Sequence, residues 1–330
     1  MTFEESSLPF ESRIDLGELH DTVSRIRAEI GKVIVGQQQM IDLLLTAIFA
    51  DGHVLIEGVP GVAKTLTAKL LAKTISVDFN RIQFTPDMMP SDVLGTSVFN
   101  PKKADFEFKK GPIFTNIVLI DEINRSPAKT QAALFEVMEE RQVTNDGTTY
   151  AMASPFVVLA TQNPIEQEGT YRLPEAQLDR FLFKILVKYP TLEEETLILK
   201  GHHERHNNNS AVANIESVLS AEQVASLRDK VKMVIVEQKV LEYIAQIVHQ
   251  TRTNKFLYLG ASPRASVALL NASKALAAIR GRDFVTPEDV QELVPSVLRH
   301  RILLTPEKEM EGSSPDDVIQ QLMQKIEVPR

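Results

Sequence analysis

Apolar positions change their spacing several times along the chain, and each change marks an element. Leu16, Leu19, Val23, Ile26 and Ile30 recur every three or four residues, the pattern of an amphipathic helix, and stop at Gly31, a residue that commonly closes a helix. A second apolar helix is predicted to run to about Ala50, where Asp51-Gly52 ends it. His53-Val54-Leu55-Ile56 is instead a short unbroken apolar run, as in a strand covered on both faces of a parallel sheet. Helical spacing resumes over 65–75, and the strand signal returns at 81–84, 117–120, 156–160 and about 181–187. Strands alternating with helices predict an α/β domain with a mostly parallel sheet over 31–190, preceded by a helical lead-in over 1–30. Two hairpins interrupt it: 96–110, turning near Asn100-Pro101, and 142–152, turning at Asn145-Asp146-Gly147.

Beyond Thr191 the strand pattern fades. Ser262-Pro263, Thr286-Pro287 and Ser314-Pro315 each set a capping hydroxyl before a proline at the first helical position, so a small all-helical domain is expected over 191–304. A charged tail helix is expected over 305–330, and His206-Asn207-Asn208-Asn209-Ser210 reads as an exposed loop.

Composition narrows the function classes. With 36 basic and 44 acidic residues the net charge is −8, which argues against a general binder of nucleic acid. No cysteine is present, which excludes disulfides, thiolate nucleophiles and cysteine-ligated metals. The acidic, polar start contrasts with a secretory signal, and no apolar run approaches the ~20 residues that span a bilayer. A cytoplasmic protein is expected.

The candidate chemistry begins at Gly58-Val59-Pro60-Gly61-Val62-Ala63-Lys64-Thr65, which follows one strand and opens a helix. Val59, Pro60, Gly61, Val62 and Ala63 would wrap the phosphates, with the backbone N–H groups of the loop converging at the positive end of that helix, which continues through Leu66. Lys64 would reach the β- and γ-phosphates and the Thr65 hydroxyl would coordinate magnesium. Ala63 stands where glycine usually precedes the lysine, a change that fits if its φ is negative. The run Ile117-Val118-Leu119-Ile120 ends in Asp121-Glu122 at the edge where α/β sheets bind ligands. Asp121 would hold magnesium, and Glu122 would polarise a water for in-line attack. The bland alternatives are a ligand-free turn and a solvated acidic turn. Two motifs in the right order favour nucleotide binding over both, and the lack of a guanine-reading Asn-Lys-x-Asp element points to ATP.

Asn163, after the strand 156–160, should emerge beside these carboxylates, where its amide could bond both γ-phosphate and attacking water. Arg180, before the strand at 181, would reach a neighbour's nucleotide in a ring, unless it simply pairs with Asp179 or another carboxylate. Arg264 lies in the first turn of a helix, where the dipole opposes a cation, so a compensating anion is expected. That anion is read as the phosphates of its own subunit. His202, His203 and His206 lack the spacing of a helical zinc site, and Lys102, Lys103, Lys109 and Lys110 form a basic patch on the first hairpin.

Together with Leu119-Ile120-Asp121-Glu122-Ile123-Asn124-Arg125, Ala160-Thr161-Gln162-Asn163-Pro164, Gln177-Leu178-Asp179-Arg180-Phe181 and Ala261-Ser262-Pro263-Arg264, the phosphate loop resembles the MoxR family of AAA+ ATPases. Ala63 is usual in that family. The resemblance implies a P-loop NTPase domain with a helical lid, with Asp121 and Glu122 in Walker B, Asn163 as sensor 1, Arg180 as arginine finger and Arg264 as sensor 2. It also implies that Val35-Gly36-Gln37 packs near adenine and that the hairpins mark a clade shared with magnesium chelatase. Rings, generally hexamers, and chaperone-like action on protein clients, often with von Willebrand factor A domain partners, follow as expectations. A chelatase-type motor subunit, a nucleic-acid motor and a nucleotide-gated scaffold remain open alternatives at this stage.

Overall fold

The computed structural model describes residues 15–163, 171–204 and 212–329. Its chain runs α1 (Gly17–Gly31), α2 (Gln38–Phe49), β1 (His53–Gly58), α3 (Lys64–Thr74), β2 (Phe79–Gln83) and α4 (Pro90–Leu94). The first hairpin is β3 (Gly95–Asn100) with β4 (Asp105–Lys110). After it come β5 (Ile117–Asp121), a 3-10 turn (Ile123–Arg125), α5 (Ala128–Glu140), and the second hairpin, β6 (Gln142–Asn145) with β7 (Thr148–Ala151). Next are β8 (Val157–Gln162), α6 (Glu175–Leu178) and β9 (Phe181–Val187).

Five strands form one sheet in the order β2-β5-β8-β1-β9, with every pairing parallel. Burial on both faces explains the unbroken apolar runs. Val54 and Ile56 of β1 face one core with α1, α2 and α3, whereas Leu55 faces a second core with Leu134 and Phe135 of α5. Because all five strands run the same way, the loops after β1, β5 and β8 leave from one edge of the sheet and the segments before β1 and β9 enter at the other. Six residues of β1 at ~3.3 Å each separate the two edges by about 20 Å.

The second half contains α7 (Leu192–Glu204), α8 (Ala221–Lys232), α9 (Gln238–Thr253), β10 (Leu257–Leu259), α10 (Pro263–Ile279), α11 (Pro287–Leu298), β11 (Leu303–Leu304), α12 (Pro306–Met310) and α13 (Pro315–Met323). The three Ser/Thr-Pro signals do begin helices: Ser262, Thr286 and Ser314 occupy the cap positions of α10, α11 and α13. The helical region is not limited to 304. Val318, Ile319 and Leu322 of α13 are buried and Asp316 takes a two-pronged bond from Arg299, at 3.0 and 2.9 Å, so the expected tail helix packs as part of this region. The two regions share one core, in which α1 meets both α3 and α10.

Both hairpins form as predicted. In the second, Asp146 at φ 48° and Gly147 at φ 77° supply the two positive φ values that a tight two-residue turn requires. His206 and the asparagine run lie outside the described residues, as do Pro164 and the first residues of the lead-in. Among the described residues, no helix is long and apolar enough to cross a membrane.

Candidate functional site

Parallel strand ends bring the phosphate loop and the carboxylates together. The loop leaves β1 at Gly58 and turns through Val59, Pro60, Gly61, Val62 and Ala63 into α3, which begins at Lys64. Gly61 has φ 86°, a conformation open to glycine, with open space where a side chain would stand. Ala63 also lies in the left-handed region, at φ 59°, so the expected negative φ is not observed. The loop must turn its amides inward to start the helix, and alanine accepts that backbone at a cost of about 1 kcal/mol. Val62 and Leu66 anchor the loop to the core.

Lys64 Nζ donates to the Gly58 carbonyl across the loop. Burial pushes its ammonium below the ordinary lysine value, against the opposing pull of Asp121, Glu122 and Glu57. The Thr65 hydroxyl lies 3.5 Å from Asp121 Oδ2, so the two residues expected at magnesium do converge. Asp121 is buried; its Oδ1 accepts from Thr161 Oγ1 at 2.9 Å and its Oδ2 from Arg81 Nε at 2.5 Å. Thr161 Oγ1 in turn accepts from the Glu122 amide at 3.0 Å, which holds Glu122 at φ 57°. Glu122 Oε2 receives Gln83 Nε2 at 2.9 Å and lies 2.9 Å from Arg125 Nε. Half-buried Asn163 follows the last residue of β8 at this same edge.

Gly36 and Gln37 approach the loop from behind. Gly36, at φ 70°, adopts a backbone that favours glycine, and a Cβ there would sit 2.3 Å from Glu194 Oε1, so any larger residue would have to push that carboxylate aside. Gln37 Nε2 bonds the Lys188 carbonyl at 3.3 Å, next to Val187, which lies against Gly58.

Arg180 and Arg264 are at the opposite edge. Arg180 precedes Phe181, which pairs with His53 at the start of β1, and its Nε lies 3.3 Å from Glu139 Oε2. Arg264 NH2 bonds the other oxygen, Glu139 Oε1, at 2.9 Å. The expectation that Arg264 closes on the phosphates of its own subunit is therefore corrected: about 20 Å of sheet lies between them. Its compensating anion is Glu139. Asp179 does not take Arg180 because it is already engaged, by Arg301 Nε at 2.8 Å and by the Ser262 hydroxyl at 2.8 Å.

Sequence reasoning did not single out Arg81, Gln83, Glu139 or Arg301. Thr161, Arg125 and Asp179 lay inside quoted motifs but were given no role of their own. The Glu139 pairing spans 125 residues to Arg264, a distance no local pattern carries.

A family model described as "ATPase family associated with various cellular activities (AAA)" matches residues 53–183, and one described as "AAA lid domain" matches 249–322. Chaperone MoxR1 of Mycobacterium tuberculosis is 42% identical over 95% of this chain and 84% of its own. The chain belongs to the MoxR family of AAA+ ATPases. YeaC of Bacillus subtilis, an uncharacterized protein, is 46% identical over 94% of this chain and 96% of its own. A crystal structure of a candidate ATPase from Cytophaga hutchinsonii superimposes with a TM-score of 0.88 at 43% identity, covering 96% of this chain and 97% of that one. A nucleotide-binding P-loop domain with a helical lid is the fold of this MoxR-family chain.

Proposed function

We propose that this MoxR-family chain hydrolyses ATP with magnesium in a ring of copies, hexameric as its family is expected to be. Each site is completed by Arg180 and Arg264 of a neighbour, and the cycle drives chaperone-like remodelling of partner proteins. The observation that carries the proposal is the division of the machinery between two edges of one sheet: Lys64, Thr65, Asp121 and Glu122 at one, Arg180 and Arg264 at the other. A subunit cannot bring both sets to one triphosphate. A rotation that stacks one edge on the other of the next copy can, and such head-to-tail contacts close into rings.

The residues present fit MgATP. Lys64 has a carbonyl as its partner, a place a phosphate oxygen would take, and Thr65 and Asp121 present hard oxygen donors side by side. Bound magnesium would neutralise charge developing on the phosphates. Glu122 orients and deprotonates the attacking water once it leaves Gln83, Asn163 holds that water against the γ-phosphate, and the two arginines stabilise its charge. Gly36 and Gln37 form the wall beside the base. A cytoplasmic location, where ATP is supplied, is part of the proposal. Client action is proposed from the chaperone relative, and von Willebrand factor A domain proteins are the proposed partner class.

The test is Glu122→Gln, which keeps the shape of the site and removes the base. Nucleotide affinity measured with a fluorescent ATP analogue should remain within about twofold, while turnover falls about a hundredfold or more. Unchanged turnover would remove Glu122 from the mechanism.

A further inference from the structure

Glu139 is the one carboxylate that touches both arginines among the described contacts. It stands in the last turn of α5, and α5 is pinned to the sheet there: the Met138 carbonyl meets His53 Nε2 at 3.1 Å, and Arg141 bonds the Phe156 and Asp51 carbonyls at 3.0 and 2.8 Å. Its position is thus set by the sheet and not by either arginine. The arginines arrive from unrelated places, Arg180 from the start of β9 and Arg264 from the first turn of α10. Two cations brought this close repel each other, and the α10 dipole adds to the cost at Arg264.

The two contacts are unequal. Arg264 makes a hydrogen bond at 2.9 Å, whereas Arg180 Nε lies 3.3 Å from the carboxylate without hydrogen-bond geometry and is closed off from solvent. The pair borders an open groove of about 440 Å³ whose walls include Asp179, Leu182 and Val267. Glu139 is 39% exposed, so its removal leaves no cavity in the core.

We infer that Glu139 is a positioning residue: it gathers Arg180 and Arg264 into one two-guanidinium clamp, aimed as a unit at the triphosphate of a neighbouring copy. The inference rests on the composite site proposed above. While no nucleotide faces the clamp, the carboxylate stands in for phosphate. When a neighbour's triphosphate arrives, it takes over both guanidinium groups, already gathered on one carboxylate, so the transition state meets donors that need little reorganisation.

The experiment uses the full chain and steady-state ATPase kinetics, with single-turnover rates for slow variants. Glu139→Gln should lower kcat about tenfold, the effect of losing one charge-assisted bond, and leave KM for ATP within about twofold, since ATP is held by the loop of the other copy. Glu139→Asp, which keeps the charge, should recover part of the loss. In an Arg180→Ala/Arg264→Ala background, Glu139→Gln should add less than about twofold, because a clamp without arginines has nothing left to position. An unchanged or higher kcat for Glu139→Gln, or its full loss repeated in the arginine-free background, overturns the inference alone. A normal kcat for Arg180→Ala/Arg264→Ala overturns the composite site and the inference with it.

Discussion

Thr161 ties the two carboxylates of the site to each other. Its hydroxyl donates to Asp121 and accepts from the Glu122 amide, so one oxygen orients the proposed metal ligand and fixes the backbone beneath the proposed base. Thr161→Val keeps the shape and removes both bonds. Leaving the part-buried Glu122 amide without its partner should cost about 1 kcal/mol, read from denaturant midpoints, and turnover should fall with it. Ala63 makes the opposite prediction. At φ 59° an alanine is strained and a glycine is not, so Ala63→Gly should raise stability by up to about 1 kcal/mol despite the looser unfolded chain. The sequence marked Ala63 as a departure from the general loop but not the sign of its φ, because that sign is set by the strand, loop and helix closing together.

Among the elements, what local chemistry decides was legible and what contact decides was not. Mainly apolar runs located four of the five strands, the alternation Arg81-Ile82-Gln83-Phe84 located the edge strand β2 to within two residues, Ser/Thr-Pro pairs located three helix starts, and Asn145-Asp146-Gly147 located a turn. Each of these is settled within a few residues of sequence. His53 shows the limit. It read as the first residue of a strand, yet its ring joins three elements: Nδ1 accepts from the Val158 amide at 3.0 Å, which fixes the neutral tautomer, and Nε2 then donates to the Met138 carbonyl at 3.1 Å. Burial, with Arg141 nearby, depresses its pKa from 6.5 to about 3, and buried His300 is likewise pushed well down. In this range the unfolded chain binds protons that the folded chain refuses, so stability must fall as pH drops below about 6.5. From pH 7.5 to 5.5 His53 should remove about 1.4 kcal/mol, and His300 acts in the same direction. Urea midpoints at the two pH values check this, and His53→Gln should flatten the dependence.

Across the whole molecule, Asp179 joins the helical region to the edge that carries the arginines. Arg301, nearly all buried, spends its guanidinium on Asp179 and on the Asp179, Phe181, Leu182 and Val297 carbonyls, while Ser262 caps α10 and bonds Asp179 as well. Asp179→Asn leaves a buried cation without its counter-charge and should cost about 3 kcal/mol. It should also loosen Arg264, since α10 starts from Ser262. That long-range arrangement is why the sequence located an arginine at a helix start and assigned it to the wrong side: helix signals do not say which sheet edge a helix meets. The division of the machinery between two edges is the central claim. Its most direct measurement is ATPase activity in mixtures of Lys64→Ala chains, which keep the arginines, with Arg180→Ala/Arg264→Ala chains, which keep the phosphate loop. Each alone should be nearly inactive. Mixed, they should recover activity with a maximum at intermediate ratios, as intact loops meet intact arginines across the interface. No recovery at any ratio, in assemblies shown to exchange subunits, would contradict the account.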